Sequence, residues 1–170
     1  MATVGILGDN SNETAIALLR LCQEKGVSPL VGLYELTENN RATIVSIDEN
    51  EIKKPKVWIL QEPTKGPTSY DFLEKISGYI IVNIDKTTDW GISWSPSWDG
   101  IITYGFNGKA SVTASSVTED ALQVCIQRGF KSLGGCSYEP QEFKAACPAE
   151  ANPLNVLGAV AACAVCDLLS

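Results

Sequence analysis

Apolar residues recur along this chain with two different periods. At residues 3–7, Thr-Val-Gly-Ile-Leu runs without a charge and ends at Gly8, which predicts a buried strand entering a loop. Residues 8–12, Gly-Asp-Asn-Ser-Asn, are turn chemistry throughout. Asn12-Glu13-Thr14 then predicts a helix start, with a capping amide and an early acidic residue. Over 15–25, Ile16, Leu18, Leu19 and Cys22 recur at helical spacing, and Gly26 predicts the stop. Three short strands are expected at 30–36, 43–47 and 57–60, and a short helix at 69–77. The continuous run Tyr-Ile-Ile-Val-Asn-Ile at 79–84 predicts a central parallel strand covered on both faces. Asp85 follows it, at the carboxyl edge where open α/β sheets hold their ligands.

Residues 100–106 and 110–117 are strand-like, with weaker β segments around Val124 and Phe143. A last helix is expected over 153–169, with Pro153 in its first turn. The segment 87–99 carries Trp90, Trp94 and Trp98 among serines, a proline and glycines, which opposes a long helix. Those tryptophans suit a lid, a contact surface or a plug at the end of the core. The pattern as a whole predicts one α/β domain over 1–170. Its sheet is mostly parallel at the centre, with additional antiparallel strands in the C-terminal half.

Composition narrows the function classes. A chain of 170 residues with 45% apolar and 19% charged residues has material for one proper core and too little for two full domains. The formal net charge of -7, with no cluster of Lys and Arg, excludes a nucleic-acid surface. The longest apolar stretch, 156–165, is too short to cross a bilayer, so no membrane partner is expected. The first residues lack a basic segment followed by an apolar one, and a cytoplasmic location with reduced cysteines is the expectation. Cys163 and Cys166 form a C-x-x-C, but the chain holds no histidine and a zinc site would need two further cysteines. Buried small residues on a packed helix are the favoured reading of that pair.

Three collinear segments resemble the central ATP-binding domain of the Mur ligases. Gly5-Ile-Leu-Gly-Asp-Asn-Ser-Asn-Glu-Thr is similar to the family's P-loop, G-x-T-G-T-N-G-K-T-T. Tyr79-Ile-Ile-Val-Asn-Ile-Asp-Lys with Ile101-Ile-Thr-Tyr-Gly-Phe is similar to its V-x-N-x-D-D strand edge and following I-x-Y-G-x strand. Ala151-Asn-Pro-Leu-Asn-Val-Leu-Gly-Ala-Val-Ala-Ala is similar to H-N-x-x-N-A-x-A-A-x-A-A, which opens the helix after the adenine site. The resemblance implies a P-loop-like three-layer domain. It also implies a nucleotide site formed by Gly8, Asp9, Asn10, Ser11, Asn12, Glu13, Thr14, Asp85, Asn152 and Asn155. Asn152 takes the place of the purine-contacting asparagine, and it fits a helix cap equally well.

The departures weigh against catalysis. Asn12 stands where the family has the phosphate-binding lysine, Glu13 where it has the magnesium-binding hydroxyl, and Ser11 where it has a glycine. The metal-binding histidine has no counterpart, and Glu62 is the one candidate for the metal-binding glutamate. The precursor-binding and C-terminal ligase domains have no counterpart in this sequence either. The expectation is therefore a degenerate, stand-alone version that binds a protein partner, a second copy of itself or a small adenine-containing ligand. No catalytic residue and no metal are assigned, and adenine nucleotide is the one candidate cofactor. The alternative is an ATP-dependent ligase subunit completed by a partner, with Lys86 or Lys109 approaching the site. An oligomer formed through the tryptophan segment or the apolar last helix is a third reading.

Overall fold

A computed structural model describes residues 2–8, 10–38, 40–47, 51–61, 75–86 and 98–169. The expected helix at 69–77, Glu62, Asp9, Trp90 and Trp94 lie wholly or mostly outside them. Nine strands form one mixed sheet. Its centre is five parallel strands in spatial order: β1 (Thr3–Leu7), β4 (Val57–Leu60), β5 (Gly78–Asn83), β6 (Trp98–Tyr104) and β7 (Val112–Val117).

The central strands are apolar because both of their faces are covered. All four residues of β4 are buried; Val57 and Ile59 enter one core, Trp58 and Leu60 the other. Gly5 of β1 is required by that second core. A Cβ there would stand 2.5 Å from the Trp58 ring. Gly5 therefore makes room for a side chain.

Antiparallel strands close both sides of the parallel centre. On the C-terminal side β8 (Ala121–Ile126) pairs with β7, and β11 (Gln141–Ala146) pairs with β8. A small β9 (Phe130–Lys131) and β10 (Ser137–Tyr138) ribbon stands apart from the sheet. The weak β segments around Val124 and Phe143 are thus six-residue strands. On the N-terminal side β2 (Leu30–Thr37) and β3 (Asn40–Ser46) form a hairpin, with β3 antiparallel to β1. The sequence places antiparallel strands in the C-terminal half alone, and the hairpin adds a second set. Helix α1 sends the chain back beside β1, so a strand arriving by a tight turn from β2 must run against it.

Helices α1 (Ser11–Glu24) and α2 (Pro153–Val165) lie together on one face of the sheet, against Val4, Ile6, Ile59, Ile81 and Ile102. Helix α1 ends as expected: Gly26 has φ 73°, and Val27 N–H reaches back to Cys22 O at 2.9 Å. In α2 every residue from Asn155 to Val165 is buried. Its apolar surface is thus consumed inside the chain. The Cys163 side chain packs in this core with Cys22, as its small-residue surroundings suggest.

Candidate functional site

Both helices begin at the same edge of the sheet, beside the residues that follow β1 and β4. Gly8, with φ 130°, turns the chain out of β1 into α1, and Ser11 N–H donates to Gly8 O at 3.3 Å. The helix opens at Ser11, two residues earlier than the capping pattern suggests, so Asn10 and not Asn12 takes the cap position. Its side chain makes no capping bond. The first turn is held from outside instead. Thr43 of β3 donates to Ser11 Oγ at 3.0 Å and lies 3.5 Å from Asn12 Oδ1.

A chain of side-chain hydrogen bonds then joins α1 to α2. Asn155 Nδ2 donates to Glu13 Oε2 at 2.7 Å. Asn155 Oδ1 accepts from Gln61 Nε2 at 2.9 Å, and the same Gln61 amide donates to Thr14 Oγ1. Gln61 is 2% exposed, Asn155 5% and Thr14 fully buried. Glu13 Oε2 accepts from Asn155, and that contact fixes the direction of the whole chain. Asn155 must turn its NH2 outward and its oxygen inward, and Gln61 must answer with its own NH2. Gln61 Oε1 is left buried with no partner among the described residues.

Asn152 is the cap of α2: its Oδ1 accepts from Leu154 N–H at 2.9 Å, with Pro153 in the next position. Asp85 sits in a 3₁₀ turn, Ile84–Lys86, just past β5. It serves the loop after β6, where Phe106 N–H donates to Asp85 Oδ2 at 3.0 Å and Asn107 N–H to Oδ1 at 3.1 Å. Both carboxylate oxygens therefore hold backbone.

The edge thus gathers Ser11, Asn12, Glu13, Thr14, Asn152 and Asn155, and gives Asp85 a separate set of partners. It adds two residues that the sequence reading does not single out. Gln61 ends the apolar run of β4 as Asp85 follows that of β5, so the same carboxyl-edge rule points to it. Thr43 lies inside a strand and carries no such signal. Between the helix starts lies a groove of about 160 Å³, lined by Glu13, Ile16, Arg20, Asn152, Asn155 and their neighbours. That is below the roughly 300 Å³ at which drug-sized ligand pockets begin. A larger cavity of about 360 Å³ lies at the other end of the helices, lined by Leu21, Lys25, Phe143, Cys163 and Leu169 among others. No residue of the expected nucleotide site lines it.

Thiols cluster beside that second cavity. A hydrogen bond with Cys163 draws the Cys22 thiol below its ordinary value, and the same bond together with burial pushes Cys163 well above it. Burial, with Cys22 and Asp167 nearby, pushes Cys166 up to about 12. The two raised thiols, Cys163 and Cys166, stay protonated and unreactive at neutral pH.

Fold and edge together define a mixed α/β domain with two helix starts converging on the carboxyl ends of its parallel strands. Among known proteins, no family model matches the chain and no curated protein matches it. No described helix is long and apolar enough to cross a membrane.

Proposed function

We propose that this chain is a non-catalytic binding protein, built on a Mur-ligase-like central domain whose phosphate site has been closed. One observation carries the reading: the Glu13 carboxylate occupies the third position of α1 and is held there by Asn155 at 2.7 Å. A helix start attracts a phosphate through its backbone N–H groups and dipole. A fixed carboxylate opposes it by about 4 kcal/mol at a separation of roughly 4 Å and an effective dielectric near 20. That exceeds the roughly 0.3–1 kcal/mol that a helix dipole usually supplies to an exposed anion.

The adenine end keeps less than its sequence suggests. Asn152 Oδ1 already accepts from Leu154 N–H, so this side chain has its NH2 and one remaining lone pair to offer a base edge. Partner binding is the activity, and an adenine-containing ligand would be held weakly and without help from its phosphates. Isothermal titration with ATP, ADP and AMP, each with and without magnesium, tests this. The three nucleotides are expected to bind equally weakly and without regard to magnesium. Magnesium-dependent ATP binding in the micromolar range would overturn the proposal.

A further inference from the structure

The two edge strands of the sheet differ in how they meet solvent. Unpaired edges invite another chain, and natural sheets guard them with charges, prolines or bulges. Strand β11 is guarded: Glu142 and Lys144 are both exposed on it. Strand β2, at the opposite edge, pairs with β3 alone among the described residues. Residues 28–34 carry no charge at all, although the chain as a whole carries -7. Its single irregularity is a register shift between Glu35 and Thr37, near its end. Val31 is 52% exposed and Leu33 69%, and both share the α1 face of the sheet through their partners Val45 and Thr43.

We infer that β2 is a homodimer edge, pairing antiparallel with β2 of a second copy about a two-fold axis at Gly32. The strand selects this occupant by its own register. Centred on Gly32, Val31 stands opposite Leu33 of the partner subunit on the α1 face. Leu30 stands opposite the partner's Tyr34 on the other face. The first charged residue, Glu35, falls opposite the partner's Pro29, so no like charges meet. Centring one residue later sets Val31 against the partner's Glu35, and one residue earlier sets Leu33 against the partner's Pro29. Only the Gly32 register pairs apolar with apolar on both faces. Leu33 is one strand away from Thr43, which meets the start of α1, but the inference rests on the register of β2 and holds whatever the helix starts bind.

Sedimentation equilibrium or light scattering on the full chain across a concentration series is the test. A monomer–dimer equilibrium is expected. Val31→Lys and Leu33→Lys should each weaken it at least roughly tenfold, because each places charge where apolar contact formed. A second measurement fixes the register and tolerates failure of those variants to fold. In an equimolar mixture of Val31→Cys and Leu33→Cys chains, oxidation should link position 31 to position 33 across copies, with neither variant linking comparably alone. A chain that stays monomeric to roughly 1 mM would overturn the inference. So would a dimer indifferent to both lysine variants, or cross-linking that is equal in the single-variant solutions.

Discussion

Two helices start side by side at the same sheet edge and are finished in opposite ways. Helix α2 is finished locally: Asn152 caps it and Pro153 follows, all within three residues of sequence. Helix α1 is finished from a distance. Its cap residue Asn10 makes no side-chain bond, while Thr43, Gln61 and Asn155 reach its first turn from three other segments. The difference teaches how much of a helix start can depend on residues far away in sequence. The cap of α2 satisfies its backbone locally and Asn155 reaches across to Glu13 and Gln61, whereas the first-turn side chains of α1 are held by Thr43, Gln61 and Asn155 from elsewhere in the chain. Glu13, in the first turn of α1, is tied in this way to Asn155 of α2.

The sharpest break of this comparison is Asn155→Asp. It sets two carboxylates at hydrogen-bond distance and should cost about 3 kcal/mol in urea unfolding at neutral pH. Adding Glu13→Gln should recover most of the loss, because an amide can donate to the new carboxylate. Next in size is Gln61→Ala, which strands Thr14 and the inward oxygen of Asn155 in the core and should cost about 2 kcal/mol. The caps come third. Asn152→Ala should destabilise by about 1 kcal/mol and Asn10→Ala by less than about 0.5 kcal/mol. Equal effects at the two caps would erase the distinction between the helix starts.

At neutral pH the smallest effect sits at the far ends of the same helices, because it appears only in alkali. The folded chain holds the Cys166 thiol up to about 12 against an ordinary 9.0. Its contribution is therefore fully present below pH 9, where both states keep the proton. It is lost as pH rises toward 12, where the unfolded state releases the proton first. Cys166→Ala should flatten that decline in a series of thermal melts.

Much of this architecture was legible in the residues. Periodicity alone locates β1, α1, β4, β5 and α2, because each is long and apolar enough for one pattern to dominate. The β2–β3 hairpin was visible as two strands but not as an antiparallel edge, since direction depends on which neighbour β1 accepts. The end of α2 was set too late: the apolar pattern continues through Leu168 and Leu169, while the helix stops at Val165. At the site, Asn152 and Pro153 announce a cap by local chemistry. The tie between Glu13 and Asn155 spans 142 positions, and the tie from Gln61 to Asn155 spans 94. Contacts of that kind belong to tertiary packing, and nothing in a local window signals them.

The central claim is that chemistry at the start of α1, and not the course of its backbone, excludes phosphate. Titrating magnesium-ATP into the parent chain and into Ser11→Gly/Asn12→Lys/Glu13→Thr tests it most directly. The variant exchanges a carboxylate for a hydroxyl and supplies the cation, at positions that are exposed or half-buried. It should bind at least roughly tenfold more tightly than the parent, since removing one repulsion and adding one attraction each exceed 1.4 kcal/mol at such distances. Equal affinity in the two folded proteins would contradict the account.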